Sequence, residues 1–122
     1  VRDIKRAKVF SPTPENRNRF AQEMSQELGV AIQPVARPED AVAGVDIVVV
    51  ATNTTGRGDL IAYRGAWMET GQHVNSIGAT GGKLREIDPE CFARADRIGV
   101  DSRVQVEGES GDAVAAVEAG AW

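Results

Sequence analysis

The sequence has very little of the chemistry that builds disulfides and metal centres. It contains one cysteine, Cys91, and one histidine, His73. A single cysteine excludes a disulfide within the chain and a multi-cysteine metal site, and a lone histidine argues against a zinc site. We therefore expect no metal, and we assign both residues structural roles. His73 is expected at the start of a strand, and Cys91 is expected as a small buried apolar residue inside a helix.

The chain also lacks an excess of positive charge and a long apolar run. Its net charge is -4 and its pI is about 5.0, which argues against a nucleic-acid partner because phosphate binding needs a basic surface. The most apolar stretch, residues 41–51, is interrupted by Asp46 and falls short of the ~20 residues that cross a bilayer. The N-terminal residues do not resemble a signal peptide. We expect a cytoplasmic protein without a membrane partner.

What is present is an ordinary globular composition with alternating strands and helices. Hydrophobic residues make up 42% of the 122 residues and charged residues 26%, which favours one compact domain. The pattern predicts strands at residues 7–10, 30–35, 46–51, 72–77 and 97–100, and helices at residues 14–28, 38–42, 64–69, 89–95 and 112–119. This alternation is typical of an α/β fold, a three-layer Rossmann-like parallel sheet with helices on both faces.

Three local patterns refine that prediction. Residues 2–7 are basic and are interpreted as the end of a helix, where cations are favoured. Phe20, Met24 and Leu28 recur every four residues and predict one apolar stripe on the first long helix. The continuous apolar run at residues 46–51 is typical of a parallel strand covered on both faces.

The candidate site follows from where the strands end. In open α/β sheets, ligands bind beyond the carboxyl ends of the strands. Glycine and small hydroxyl residues, which let a ligand approach the backbone closely, follow four predicted strands. The same residue types also dominate ordinary turns, which is the competing interpretation. The four loops contain Ser11 and Thr13; Thr52, Asn53 and Thr54; Gly78 to Gly82; and Asp101 and Ser102.

The first of these loops bears on the choice of cofactor. In NAD-binding Rossmann domains an acidic residue at the end of the second strand binds the adenosine ribose. Ser11 occupies that position and has no carboxylate. Ser11, Thr13 and Arg17 could instead accept a ribose phosphate, which slightly favours NADP over NAD. The alternative is that Ser11 and Thr13 only cap the helix.

Other conspicuous residues receive plain structural interpretations. Trp67 and Trp122 are expected to be packing residues. The acidic group of Glu107, Glu109 and Asp112 is expected to be a solvated loop and helix start rather than a metal site.

An ordered series of segments resembles the ornithine cyclodeaminase/mu-crystallin family. The resemblance covers nearly the whole chain, and it is carried by AKVFSPTPENRNRFAQEM, DIVVVATNTT, GQHVNSIGATGGKLREID, ARADRIGVDS and ESGD. It implies NAD(P)-dependent hydride transfer to or from a carbon that bears nitrogen in an amino or imino acid. It also implies that Ser11 and Thr13 lie near the adenosine ribose, that Thr52, Asn53 and Thr54 line the middle of the dinucleotide, and that Ile77 and Gly78 lie near the nicotinamide.

The chain departs from the family pattern in two ways. Thr80 stands where deaminating members have an acidic residue, and a threonine cannot shuttle protons near neutral pH. We therefore assign no catalytic residue. The family's first strand and its glycine-rich phosphate loop would lie upstream of Val1, so the sheet is expected to be incomplete, with its first strand missing. Residues 1–122 are interpreted as a single partial NAD(P)-binding Rossmann domain, inactive by itself.

The missing strand would lie between the strands at Val9 and Val48. Because exposed inner edges tend to pair, we expect these strands to close up on each other or a second chain to fill the gap in a homodimer. Two alternatives for function stay open at this point. One is a non-catalytic ligand-binding protein or a vestigial structural module. The other is a different Rossmann dehydrogenase domain.

Overall fold

The computed structural model describes residues 3–52, 61–77 and 83–122. Within these ranges strands and helices alternate along the first part of the chain, and helices fill the last part. The elements are β1 (Arg6–Val9), α1 (Pro14–Leu28), β2 (Ala31–Pro34), α2 (Pro38–Val42), β3 (Ile47–Val50), a 3₁₀ helix (Gly65–Trp67), β4 (His73–Ser76), α3 (Pro89–Arg94), α4 (Arg103–Glu109) and α5 (Gly111–Glu118). None of these helices is long and apolar enough to cross a membrane.

The chain divides into two compact units, and the first comprises Val1–Ala43. In this unit β1 and β2 pair in parallel, with Arg6 opposite Ala31 and Val9 opposite Pro34. Helix α1 connects them; it begins with Pro14 after the N-cap Thr13 and ends at Gly29. Gly29 has a φ of +65°, a left-handed conformation that favours glycine at a helix end.

In the first unit, the helix predicted at residues 14–28 is confirmed as α1, but the helix end predicted before β1 is wrong. Residues 3–5 have no regular structure and Arg6 already belongs to β1, so the helix end predicted at residues 2–7 is wrong. The backbone pairing of β1 with β2 outweighs the preference of basic residues for a helix terminus.

The apolar stripe predicted on α1 is largely exposed. Phe20 and Leu28 are 49% and 61% exposed, whereas Ala21 is 3% exposed. The buried side of α1 is therefore centred on a small residue. Beside it, the Ser25 hydroxyl accepts a hydrogen bond from the amide of Ile32 at 3.1 Å, which ties the helix to β2.

The second unit comprises Gly44–Trp122 and contains the other parallel pair, β3 and β4. Val48 and Val50 are almost completely buried, but Val49 between them is 61% exposed. Because successive strand residues point to opposite faces, one face of β3 is packed and the other is open. The prediction that this strand is covered on both faces is wrong.

The described strands form two two-stranded sheets, β1–β2 and β3–β4. Their parallel pairing, with helices between strands, confirms the α/β class. The strand at Val9 lies in the first unit and the strand at Val48 in the second, and the expectation that they pair with each other or with a second chain stays a prediction.

The core of the second unit is organised around the backbone of residues 84–88. The carbonyl of Glu86 accepts hydrogen bonds from the amides of Ala62 and Tyr63 at 2.8 and 2.9 Å. Asp88 caps α3, and its Oδ1 also accepts from the amide of Gly65 at 2.9 Å. Tyr63 is 1% exposed, and burial raises the pKa of its phenol to about 12. This segment therefore joins the chain around Tyr63 to α3.

The C-terminal third differs most from the sequence prediction. Residues 97–100 are not a strand, because no other described segment forms a ladder with them. Residues 103–109, for which we predicted no helix, form α4. Its sequence contains valines and a glycine, which are weak helix formers. Local hydrogen bonds compensate: Ser102 caps the helix, and the Arg103 guanidinium contacts the Glu107 carboxylate at 2.7 Å.

Helix α5 begins where a glycine permits a very close approach. A Cβ atom on Gly111 would overlap the carbonyl oxygen of Leu84, so only glycine fits there. The helix continues with Ala113 and Ala116, both 0% exposed. Small residues thus let α5 lie directly against residues 84–88.

We expect Gly111→Ala to destabilise the chain by about 1–3 kcal/mol, because the added methyl group must push α5 away from Leu84. Gly108→Ala is the matched control. Position 108 lies in α4, where a Cβ meets nothing within 4 Å, so alanine should stabilise by about 0.5–1 kcal/mol. Urea unfolding monitored by tryptophan fluorescence measures both changes. Equal effects of the two substitutions would contradict the close approach.

Candidate functional site

β3 and β4 end at the same edge of their sheet. Val50 lies opposite Ser76, and the amide of Ile77 donates to the carbonyl of Val50 at 3.0 Å. The predicted site residues Thr52 and Ile77 follow directly. Thr52 is half-buried and Ile77 is 71% exposed. The parallel register therefore brings these two residues to one edge, where Ile77 presents a large apolar surface.

The other residues predicted at this edge lie outside the described residues. They are Asn53, Thr54 and the loop from Gly78 to Gly82, which includes Thr80.

A groove of about 1190 Å³ runs along β4 in the second unit. It includes Ser76 and Ile77 at the end of the strand, and Asp101 and Ser110 from the C-terminal part of the chain. The Asp101 carboxylate accepts from the amide of Ser102 at 2.9 Å, and the Ser102 hydroxyl caps α4. The predicted loop at Asp101 and Ser102 thus borders this groove and also begins a helix.

Ser11 and Thr13 lie in the first unit, between the end of β1 and the start of α1. The Arg17 guanidinium donates to the carbonyl of Ser11 at 3.1 Å, which holds this cation at the loop. Thr13 is exposed, and its side chain makes no capping hydrogen bond with α1. This loop thus carries an exposed hydroxyl and a cation, and the exposed acid Glu15 lies in the first turn of α1.

Directly behind the end of β4 lie two buried acids that the sequence analysis did not select. Glu86 is 5% exposed and Asp112 is 3% exposed. Asp112 Oδ1 accepts from the amides of Glu86 and Ile87 at 2.8 and 3.1 Å. The Ser76 hydroxyl donates to Glu86 Oε2 at 3.4 Å. Through Glu86, the end of β4 is therefore joined to the start of α5.

This arrangement corrects one prediction. Glu107 and Glu109 are exposed on α4, as expected for solvated residues, but Asp112 is buried. The spacing of these acidic residues in the sequence does not indicate that Asp112 is buried. The one available signal is the glycine before it, which marks a close backbone approach. The described residues contain no group of three His, Cys, Asp or Glu side chains that could hold a metal.

Burial has the largest effect on the Asp112 carboxyl and raises its pKa above the ordinary 3.8, while the two amide donors act in the opposite direction. Burial also raises the pKa of the Cys91 thiol. Cys91 is 6% exposed and donates to Asp88 Oδ1 at 3.3 Å. Its predicted role as a small buried residue is therefore confirmed.

His73 and the tryptophans fit their structural assignments. His73 begins β4 and is exposed, with Nε2 3.1 Å from Asn75 Oδ1. Trp67 packs edge-on against Tyr63, and Trp122 packs against Phe92 with 5.6 Å between ring centroids.

The raised pKa of Asp112 predicts a specific pH dependence of stability. A raised folded-state pKa means that its stabilising contribution is present below the unfolded pKa of about 3.8 and is lost as pH rises through the folded-state pKa. Asp112→Asn keeps an oxygen that can accept from both amides but does not ionise. Its stability relative to the parent chain should therefore increase from about pH 4 upwards.

Asp112→Ala is the contrasting variant. It leaves the two amides without this acceptor, and we expect a loss of about 2–5 kcal/mol. Urea unfolding of the three chains across this pH range provides the measurement. The same pH profile in the parent chain and Asp112→Asn would show that Asp112 does not titrate in this way.

The chain matches the model of the ornithine cyclodeaminase/mu-crystallin family over residues 1–119. It is 33% identical to an uncharacterized cyclodeaminase of Sinorhizobium fredii over 98% of this chain and 35% of the relative. It is 31% identical to the ketimine reductase mu-crystallin of Rattus norvegicus, over 89% of this chain and 32% of that protein. The chain thus spans about a third of the length of the curated relatives it matches.

Two solved structures are also similar to this chain over nearly its whole length. The Thermococcus litoralis Δ¹-pyrroline-2-carboxylate reductase, determined in complex with NADH and L-proline, is 35% identical with a TM-score of 0.88, over 100% of this chain and 36% of that chain. A probable ornithine cyclodeaminase from Bordetella pertussis is 30% identical with a TM-score of 0.76, over 95% of this chain and 35% of that chain.

Proposed function

The chain belongs to the ornithine cyclodeaminase/mu-crystallin family, and from this premise we propose that it is the dinucleotide-binding segment of an NAD(P)-dependent oxidoreductase acting on an amino or imino acid. The observation that carries the proposal is the likeness, over the full length of this chain, to a reductase solved with NADH and L-proline. Family membership confirms the resemblance found in the sequence. It also overturns the alternative of a different Rossmann dehydrogenase.

The edge formed by β3 and β4 supports a place for the nicotinamide half of the cofactor. We assign Ile77 and Gly78 to the nicotinamide side, and Thr52, Asn53 and Thr54 to the middle of the dinucleotide. The exposed side chain of Ile77 offers an apolar face to a flat ring, and the half-buried hydroxyl of Thr52 offers a hydrogen bond without charge. Both fit an uncharged ring and its linking sugar.

The reaction that fits this segment is reduction at a carbon bonded to nitrogen, and the cofactor, when bound, supplies the hydride. The role of this chain's residues is to hold the ring at the end of β4. Thr80 stands where deaminating members carry an acid, and threonine does not exchange protons near neutral pH. We therefore favour an imine or ketimine reductase over a cyclodeaminase. We expect no turnover from these 122 residues alone, and a homodimer stays a prediction.

A non-catalytic ligand carrier is the second candidate, because the same threonine at position 80 is also compatible with binding without proton transfer. It predicts the same dinucleotide contacts. Turnover of a cyclic imino acid by a protein that contains this chain, measured by nicotinamide absorbance, separates the two candidates.

Binding can be tested on the chain itself by NMR, because chemical shifts report even millimolar affinities. We expect NADH to shift the amide signals of Thr52 and Ile77, and 5′-AMP to shift those of Ser11 and Thr13. Signals of α3, such as that of Phe92, serve as an internal control that should not move. Shifts spread evenly over the chain, or no shifts at all, would contradict the proposed site.

The first loop supports a preference for NADP. The guanidinium of Arg17 is held at the Ser11 carbonyl, where it can face a ribose phosphate. The exposed carboxylate of Glu15 opposes this attraction, so we expect a moderate preference.

Arg17→Ala should weaken binding of 2′,5′-ADP by about tenfold, because a charge-assisted hydrogen bond is lost, and should leave binding of 5′-AMP almost unchanged. Arg19→Ala is the matched control, since Arg19 is exposed on the same helix and contacts only Asn16 at 3.4 Å among the hydrogen bonds of the described residues. NMR titration of both variants gives the affinities. An equal loss of affinity for 2′,5′-ADP and 5′-AMP would contradict the preference for NADP.

A further inference from the structure

Helix α1 carries an apolar row that the rest of the described chain leaves largely open. Phe20, Met24 and Leu28 recur every four residues and follow one line along the helix. Phe20 is 49% exposed, Leu28 is 61% exposed and Met24 is half-buried. Apolar residues exposed singly need no explanation, but a row of them along one helix favours an interaction surface.

A charged row runs along one side of this apolar row. Arg19, Glu23 and Glu27 each come one residue before a member of the apolar row, and all three are exposed. The ion pairs between described residues include none of them. We call the apolar row and this charged row together the α1 face.

The charges of the α1 face do not stabilise α1 as an isolated helix. Glu23 and Glu27 lie one helical turn apart, so their carboxylates repel each other. Glu27 lies in the last turn, which has no basic residue and where the helix dipole opposes a negative charge. The positive end of the row therefore lies towards the start of α1 and the negative end towards its end, the reverse of what the dipole favours.

We propose that the α1 face is a self-association surface, on which α1 of a second copy of this chain packs in the antiparallel direction. A two-fold axis across the helix makes the two copies antiparallel and brings the same patch of each together. The basic half of one charged row then lies along the acidic half of the other. With the axis near Gln22, Phe20 lies against Met24 of the partner subunit, and Arg19 lies beside Glu23 of the partner subunit.

Charge complementarity favours this occupant over a helix that runs parallel to α1. In a parallel pair of copies, Glu27 would lie beside Glu27 of the partner subunit. In the antiparallel pair, Glu27 lies near the start of the partner helix, where the dipole favours a negative charge. The contact thus turns an unfavourable charge into a favourable one. The α1 face is a helix surface and is separate from the strand edges at which the sequence predicts a second chain.

The size of the α1 face indicates how strong the association is. Stable complexes bury about 800 Å² on each partner, and three apolar side chains with their flanking charges provide much less. We therefore expect a dimer that exchanges rapidly with the monomer, with a Kd of about 0.1–1 mM at low ionic strength, where exposed charges are least screened.

A charge exchange tests the pairing directly. Arg19→Glu makes the charged row entirely acidic, and the double variant Glu23→Arg, Glu27→Arg makes its second half basic like its first. Each variant alone places like charges together across the two-fold axis, and we expect its self-association to weaken by about tenfold. An equimolar mixture of the two restores opposite charges and should associate at least as tightly as the parent chain. Association of the mixture also shows that both variants are folded.

The apolar part of the contact has its own variant and control. Phe20→Ser should weaken self-association by about tenfold, because the exposed part of the ring is lost from both copies. Val104→Ser is the matched control, since Val104 is 86% exposed on α4 in the second unit, and it should associate like the parent chain.

Sedimentation velocity of the parent chain and the variants, up to a concentration of about 1 mM, provides the measurement; no nucleotide is needed, so the result does not depend on the proposed function. A parent chain that stays monomeric at the highest concentration overturns the inference. So does a mixture that associates no better than its two components, which would show that α1 does not pair antiparallel through these charges. Equal weakening by Phe20→Ser and Val104→Ser would place the contact elsewhere and would overturn it as well.

Discussion

The second unit depends on one backbone segment, residues 84–88, that is hydrogen-bonded from two sides. From one side the amides of Ala62 and Tyr63 donate to the Glu86 carbonyl. From the other, the Asp112 carboxylate accepts from the amides of Glu86 and Ile87. Buried amides and carbonyls are costly when they lack partners, and a loop cannot supply them itself. Asp112 therefore provides a hydrogen-bond acceptor for the amides of this segment, as a neighbouring strand does inside a sheet.

The need for that carboxylate explains the small residues around it. A carboxylate on α5 reaches two backbone amides only if the helix axis lies very close to the loop. Gly111, Ala113 and Ala116 provide this proximity, and a larger side chain at position 111 would overlap Leu84. The cost of burying the charge, visible in the raised pKa of Asp112, is offset by the two amide donors and by the start of the helix.

Local sequence signals predicted the parts of the fold that local chemistry controls. Thr13-Pro14 and Gly29 mark the two ends of α1, and the valines of β3 mark a strand. Which side chains pack in the core was harder to predict from the sequence. Phe20 and Leu28 repeat at helical spacing, yet Ala21 is the residue that α1 buries. Periodicity identifies an apolar side of a helix but does not show which side a neighbour covers.

The candidate site shows the same division between local and long-range information. Residues at strand ends could be selected from the sequence, because the rule that ligands bind there needs only the order of elements. Asp112 could not be selected in this way, since its contacts are with residues 25 and 26 positions away. Its role depends on how α5 docks, and an acidic residue beside a glycine is typical of a solvated turn as well as of a buried contact.

The two buried acids also bear on what this edge can do chemically. A general acid must reach the substrate and exchange its proton with solvent during turnover. Asp112 is 3% exposed and its carboxylate already accepts from two amides, so it is poorly suited to that task. Glu86 is 5% exposed and contacts Ser76. The carboxylates near β4 therefore make contacts within the core, to two backbone amides and to the Ser76 hydroxyl.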